Sequence, residues 1–199
     1  MDYFAVFGLP RKVGLDPEEL ERRFHELSRK VHPDFFQAAT PAEQAVGLER
    51  SALVNRAYRT LRDPIARCDY LVRLETGEES AGVPARSPAD LLEEMLEVQE
   101  ALEEARAAGL SAEIRARLAS ERERLMARRA AEEAKLQSTA GEWDALVDGS
   151  GRLQDAIRVK LLDRMKETLA ARAYLTAVVN DLSRALGEEI RTDVSYRRH

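Results

Sequence analysis

Cysteine is almost absent from this chain of 199 residues, which contains Cys68 and no other. A single thiol excludes an internal disulfide and a metal site built from clustered cysteines. Proline and glycine are also scarce, at 7 and 10 residues, so little of the chain has the composition of a linker or a low-complexity segment. Aromatic residues make up only 6%, whereas alanine, leucine, glutamate and arginine are abundant. This composition favours helices over sheets.

The chain also lacks a strong excess of one charge and a long apolar run. Its 31 basic and 36 acidic residues give a net charge of −5, which argues against a nucleic-acid partner. No stretch reaches the about 18 consecutive apolar residues of a transmembrane helix. Residues 1–12 have a short apolar run without a basic start, unlike a secretory signal. We therefore expect a soluble, cytoplasmic protein with no membrane partner.

Four helix starts are marked by a capping residue followed by proline, the residue favoured at the first helical position. The four pairs are Asp16-Pro17, Thr40-Pro41, Asp63-Pro64 and Ser87-Pro88. Glu19 and Glu43 follow the first two caps by three residues and complete capping-box patterns. A fifth helix is predicted to start after Ser111, because Gly109 ends the preceding one.

The helices predicted over 17–31 and 41–61 each carry an apolar stripe at helical spacing. The stripe residues are Leu20, Phe24, Leu27 and Val31 in the first helix and Val54, Ala57, Tyr58 and Leu61 in the second. Two consecutive helices with facing stripes predict an antiparallel helical hairpin. The loop of this hairpin holds His32, Pro33 and Asp34.

Residues 75–90 interrupt the apolar periodicity with glycine, serine and proline, and so mark a domain boundary. Long charged helices are predicted to follow over 88–107, 112–138 and 151–190, and the last range could hold one helix or two. Residues 143–151 are predicted to interrupt the helical pattern. The predicted fold class is all-α. We predict an N-terminal domain over 1–75, a linker over 76–87 and a C-terminal helical bundle over 88–199.

The tripeptide His32-Pro33-Asp34 between two helices resembles the J-domain. Three further segments narrow the resemblance to the HscB family, the J-proteins of iron–sulfur cluster assembly. They are residues 1–4 (MDYF), 7–10 (FGLP) and 54–64 (VNRAYRTLRDP), continued by Arg67, Tyr70 and Leu71. The resemblance is close over residues 1–75, weaker over 88–105, and fades beyond.

The resemblance implies a J-domain, made of the antiparallel hairpin and a short helix, followed by a C-terminal helical bundle that binds a client. It also implies a co-chaperone and not an enzyme. Such a protein stimulates the ATPase of an HscA- or DnaK-type chaperone and delivers the iron–sulfur scaffold protein IscU to it, assisting the maturation of iron–sulfur proteins. No cofactor and no metal are expected on this chain, because a bound cluster would belong to the client.

Pro33 disfavours helical geometry at His32, so the preceding helix stops there and the loop presents an imidazole and a carboxylate. The resemblance implies that His32, Pro33 and Asp34 bind the chaperone. It implies the same for the basic face of the preceding helix, where positive charge would steer association with an acidic surface. This face consists of Arg22 and Arg29, with Arg23 and Lys30 on its flank. The alternatives are a simple helix stop and a His–Asp acid–base pair, for which the sequence nominates neither a pocket nor a nucleophile.

The helix after Ser87 carries two separate sets of apolar residues. The first is predicted to face the bundle core and consists of Leu91, Met95, Val98, Leu102 and Ala105. Leu92 and Leu96 lie away from this stripe, beside an acidic ridge on the opposite face of the helix. An exposed leucine pair beside such a ridge suits a protein-binding surface; the alternative is a widened apolar stripe with a solvated acidic face. The ridge residues are Glu93, Glu97, Glu100 and Glu104.

The resemblance implies that one set of residues on this helix binds the IscU-type client. The set is Leu92, Leu96, Glu97, Glu100 and Glu104. Glu93 departs from the apolar residue that the family pattern carries at its position. Tyr174 is the candidate for an aromatic contact on a later helix, with Leu161 and Leu162 as rivals.

Two other functions stay open on the sequence: a J-protein that delivers a different client, and a helical adaptor without chaperone activity. His25 and His199 have no partners at ligand spacing, so we expect them to be ordinary surface histidines. Cys68 is expected in the core, and Trp143 is expected to anchor the bundle.

Overall fold

A computed structural model describes residues 2–31, 40–77, 92–149 and 155–187. These residues form seven α-helices and no strand, which confirms the all-α fold class. The helices are α1 (Tyr3–Phe7), α2 (Pro17–Lys30), α3 (Pro41–Arg62), α4 (Pro64–Thr76), α5 (Leu92–Ala108), α6 (Ala112–Asp148) and α7 (Asp155–Ala185). Within the described ranges, no helix is both long enough and apolar enough to cross a membrane.

The described residues group into two compact units. The first unit lies within residues 1–79 and 140–162, and contains α1 to α4, the end of α6 and the start of α7. The second unit lies within residues 80–139 and 163–199, and contains α5 and the rest of α6 and α7. The predicted limits of 1–75, 76–87 and 88–199 stay a prediction.

The predicted caps of α3 and α4 are present. At α3, the Thr40 hydroxyl accepts a bond from the Glu43 amide, while the Glu43 carboxylate accepts from the Thr40 amide at 2.9 Å, which completes the capping box. These bonds from Thr40 lower the pKa of Glu43. At α4, Asp63 Oδ1 accepts from the amides of Ile65 and Ala66, both at 2.8 Å. The caps satisfy amides that the first turn of a helix leaves without a backbone partner.

Helix α1 is too short for its periodicity to be recognised in the sequence, and the sequence analysis does not contain it. Asp2 caps it by accepting a bond from the Phe4 amide at 2.9 Å. Gly8 ends it in the left-handed conformation, with a φ of 61°, which is favourable for glycine. Phe4 and Phe7 of this helix are buried in the core of the first unit.

The apolar stripes of α2 and α3 pack as predicted. The Phe24 ring stacks on the Tyr58 ring, with 4.0 Å between the ring centroids. Around this pair, four predicted stripe residues are buried: Leu20, Val54, Ala57 and Leu61. The predicted hairpin is therefore closed by direct packing between its two long helices.

Helix α6 continues to Asp148 and α7 begins at Asp155, so the predicted helix end at 138 and the predicted start of the break at Trp143 are wrong. Trp143 is only 1% exposed, and its Nε1–H donates to the carbonyl of Arg11 at 2.9 Å. Burial of an indole contributes more than the about 1 kcal/mol that Gly141 costs inside the helix. Trp143 therefore anchors the first unit and not the bundle core, contrary to the sequence analysis.

The core of the second unit is shared by α5, α6 and α7. Val98 is buried there, and Leu102 and Ala105 pack against it, as the predicted stripe requires. The side chains of Leu91 and Met95 lie outside the described residues. The other buried members are Ala101, Ile114, Leu118, Leu125, Leu175, Val178, Val179, Leu182 and Leu186.

Truncation of a buried leucine in the first unit should lower the free energy of unfolding much more than truncation of an exposed one. Leu71 is fully buried, so Leu71→Ala should lower the free energy of unfolding by about 2–5 kcal/mol, through lost burial and a residual cavity. Leu48 is 59% exposed, so Leu48→Ala should change it by no more than about 0.5 kcal/mol. Denaturant titration followed by the fluorescence of Trp143, the single tryptophan, measures both variants. Equal losses would contradict this account of the core.

Candidate functional sites

The loop of the hairpin is bracketed by described residues, but His32, Pro33 and Asp34 lie outside them. Helix α2 ends at Lys30, and the amide of Val31 donates to the carbonyl of Leu27 at 3.1 Å to close the last turn. Helix α3 starts at Pro41. The tripeptide therefore lies between two helices, as the sequence predicts, and its role stays a prediction.

The basic face of α2 exposes Arg22, Arg29 and Lys30. Arg22 lies beside two carboxylates, at 3.7 Å from Glu19 and 3.6 Å from Glu26, so its charge is partly compensated. Among the described residues, neither Arg29 nor Lys30 pairs with an acid; Arg29 Nε–H donates to a backbone carbonyl at 3.3 Å. Cations in the last turn also stabilise the helix. The least compensated positive charge of α2 is therefore next to the loop.

Arg23, on the flank of the basic face, has a structural role that the sequence analysis missed. Its Nη1 donates to the carbonyls of Phe7 at 2.6 Å and Gly8 at 2.7 Å. Its Nη2 donates to Glu19 at 2.5 Å. Glu19 therefore binds this guanidinium, and not the backbone amide of the cap residue Asp16 as the predicted capping box requires. These bonds join α2 to the end of α1, and they occupy Arg23 within the first unit.

The outer face of α5 exposes the leucine and the acids that the sequence predicts on it. Leu96 is 61% exposed, and Glu97, Glu100 and Glu104 are also exposed. Leu92 is the first residue of α5, but its side chain is not among those that the structure describes. We call the exposed residues Leu96, Glu97, Glu100 and Glu104 the α5 surface.

Arginines of α6 lie beside the α5 surface, which sequence spacing does not reveal. Arg124 is 3.4 Å from the Glu97 carboxylate, and Arg117 is 3.4 Å from the Glu104 carboxylate. Glu100 forms no ion pair with any described residue. Exposed pairs of this kind contribute little to stability, so their main effect is to lower the negative charge of the ridge. Glu103, also exposed and missed by the sequence analysis, adds a second acid on this helix.

Tyr174 is half-buried and packs against the core of the second unit. Its rivals, Leu161 and Leu162, are buried in the first unit, so neither presents an exposed contact. Tyr174 therefore stays the predicted aromatic contact on α7.

A cleft of about 480 Å³ lies in the first unit, lined by Pro10, Arg11, Glu75, Trp143, Leu146, Val147, Gly149 and Arg158. Its charged groups are already paired, because Glu75 accepts from Arg11 at 2.9 Å and from Arg158 at 2.7 Å. It presents no acid–base pair beside a nucleophile. Among the described residues, no group of three or more histidines, cysteines or acids could hold a metal ion.

No protein-family model matches the sequence. The fold is similar to that of chaperone HscB from Vibrio cholerae, with a TM-score of 0.62 and 26% sequence identity over 92% of this chain and 96% of that one. It is also similar to human co-chaperone protein HscB, with a TM-score of 0.64 and 26% identity over 92% of this chain and 81% of that one. These two similarities support an identification with the HscB family.

The similarity to these two structures confirms the resemblance, together with the all-α fold of a J-domain followed by a C-terminal helical bundle. It supports a chaperone role for the chain and fits a protein that is not itself an enzyme. The individual residues of the basic face and of the α5 surface keep their roles as predictions.

Cys68 lies in the core of the first unit, as the sequence predicts, and is fully buried. Desolvation raises the pKa of its thiol to about 12, and the thiolate is the reactive form. We expect iodoacetamide at about pH 8 to modify Cys68 much more slowly in the native chain than in denaturant. Mass spectrometry of both time courses measures this difference. Equal rates would show that the thiol is accessible, against its position in the core.

Proposed function

We propose that this chain is a cytoplasmic J-domain co-chaperone that stimulates the ATPase of an HscA- or DnaK-type chaperone and delivers an IscU-type iron–sulfur scaffold to it. The observation that carries the proposal is similarity to two HscB structures over 92% of a chain that has His32-Pro33-Asp34 between α2 and α3. The chemistry takes place on the partner, and this chain supplies two binding surfaces.

The chaperone contact is proposed at the loop and the adjoining basic face. Arg29 and Lys30 are exposed in the last turn of α2 and have no acidic partner among the described residues. Their charge remains available to an acidic surface and would raise the association rate at low salt. Arg22 shares its charge with Glu19 and Glu26, and its contribution should be smaller.

The client contact is proposed at the α5 surface with Leu92 and Tyr174. Leu96 exposes most of its side chain, so a partner that covers it removes apolar area from water. Glu100 lies one helical turn from Leu96 and has no ion-pair partner among the described residues. An apolar contact beside a charge is the usual anatomy of a small protein interface. The complementary client surface would be apolar with a basic group at its edge.

Joining both surfaces in one chain has a physical consequence. A client held at α5 is kept near the chaperone that the hairpin engages, which raises its effective concentration without any new contact. Stimulation of the ATPase by the hairpin would then coincide with presentation of the client. An iron–sulfur cluster, where one is bound, belongs to the client.

The chaperone half of the proposal is tested by His32→Gln. We expect the native chain to accelerate single-turnover ATP hydrolysis by a DnaK-class chaperone, and the variant to leave the rate at that of the chaperone alone, because the loop supplies the contact. His25→Gln is the matched control, since His25 is an exposed histidine on α2. A native chain that fails to stimulate any available chaperone would leave a helical adaptor as the better description.

The client half is tested by Leu96→Ser. We expect this change to weaken binding of an IscU-type scaffold by at least about tenfold, the typical cost of removing a central apolar contact. Leu110→Ser, at an exposed leucine between α5 and α6, should change affinity little. Isothermal titration calorimetry measures both variants. Stimulation of the ATPase without scaffold binding would support a J-protein with another client.

A further inference from the structure

The exposed acids of α5 lie along two lines of the helix. The first, which we call the outer line, consists of Leu96, Glu100 and Glu103, at steps of four and three residues that a helix places on one face. The second, the inner line, consists of Glu97 and Glu104, seven residues apart. It is rotated from the outer line by roughly 80°, at about 100° per residue. The acidic ridge therefore presents its charge in two directions.

The inner line faces α6 within the second unit. Glu97 lies 3.4 Å from Arg124, and Glu104 lies 3.4 Å from Arg117. The earlier acid of α5 meets the later arginine of α6, as expected for antiparallel helices, and the two arginines are also seven residues apart. Each acid of the inner line is therefore matched by one arginine in the register of the helix pair.

The two arginines do not compensate the inner line equally. Arg124 also pairs with Glu121 of its own helix, at 2.7 Å, so its charge is shared between two carboxylates. Arg117 has no second acidic partner among the described residues. Glu104 is therefore the most fully compensated acid of α5, and Glu97 is compensated in part.

The outer line lacks such compensation. Neither Glu100 nor Glu103 forms an ion pair with any described residue, and both side chains are exposed. Arg106, three residues after Glu103 on the same helix, is also exposed and does not pair with it. Leu96 is 61% exposed on this line. Accessible apolar area and uncompensated negative charge therefore coincide on the outer line.

We infer that Glu103 is a specificity-determining residue of the proposed client surface: together with Glu100 it supplies the charge that the client meets beside Leu96. This inference rests on the proposed function and deepens it. Such a surface selects a client with an apolar group beside two cations that are about 5–6 Å apart, the separation of side chains one helical turn apart. The set implied by the resemblance contains Glu97 and Glu104 and omits Glu103.

An exposed acid at such a surface acts mainly on the rate of association. It attracts a basic partner over a distance that salt shortens, so its effect is largest at low salt. An acid already paired with an arginine contributes less, because the neighbouring positive charge cancels much of its field. Glu100 and Glu103 should therefore dominate the salt dependence of client binding.

The test measures association of the full chain with an immobilised IscU-type scaffold by surface plasmon resonance, at about 0.05 M and about 0.5 M salt. Each variant neutralises one acid and keeps the shape of its side chain. The variants are Glu97→Gln, Glu100→Gln, Glu103→Gln and Glu104→Gln. Glu123→Gln is the matched control, since Glu123 is an exposed acid of α6 in the same unit.

We expect Glu100→Gln and Glu103→Gln each to slow association at least about threefold at low salt, and much less at high salt. Glu104→Gln and the control should change the rate by less than about 1.5-fold, and Glu97→Gln should fall between. An altered packing of α5 would not give an effect that salt removes, so the two salt concentrations separate charge from structure.

Removal of Arg117 provides a second measurement. Arg117→Gln frees the carboxylate of Glu104, so Glu104→Gln in this background should slow association at least about threefold at low salt. Glu103→Gln should have the same effect with and without Arg117. An unchanged effect of Glu104→Gln would show that the arginine does not withhold this acid from the client.

The failures of the two proposals can be told apart. If the native chain binds the scaffold but Glu103→Gln does not slow association, or Glu104→Gln slows it equally, the role of Glu103 is refuted and the proposed function stands. If the native chain does not bind the scaffold, the client half of the proposed function fails, and the role of Glu103 fails with it.

Discussion

Burial of the Trp143 indole in the first unit is the interaction on which the arrangement of that unit depends. The indole donates to the backbone of Arg11, and the guanidinium of Arg158 lies over its ring at 5.3 Å from the centroid. Arg158 pairs with Glu75, and Glu75 pairs in turn with Arg11. The α1–α2 loop, the end of α4 and the start of α7 therefore meet around one side chain of α6. A smaller residue there would expose apolar surface and loosen several charge pairs at once.

The fold is predictable from the sequence wherever the signal is local. Thr40 and Asp63 bind amides two or three residues away, and the Phe24–Tyr58 contact follows from helical spacing, so caps and stripes reveal them. The end of α6 depends instead on a tertiary contact. The segment Asp148-Gly149-Ser150-Gly151 leads to a predicted break from Trp143 onward, but burial of Trp143 against residues more than a hundred positions away extends the helix to Asp148.

The same distinction separates what could be predicted of the surfaces from what could not. Exposure of Leu96 and Glu100 follows from their angular position on α5, opposite Val98 in the core. The partners of neighbouring charges do not follow from spacing. Arg23 has the periodicity of a surface cation, yet it binds the carbonyls that end α1. Arg124 comes within reach of Glu97 only because α5 and α6 pack together.

Under the proposed function, these pairings change how the acidic ridge of α5 would bind a client. The ridge exposes Glu97, Glu100 and Glu104, but two arginines of α6 lie within ion-pair distance of two of them. A basic partner must compete for those carboxylates, and that competition offsets part of the attraction it would gain. Apolar contact has no such internal competitor. Complementarity to the exposed leucine should therefore contribute more to affinity, and charge more to the rate and orientation of association.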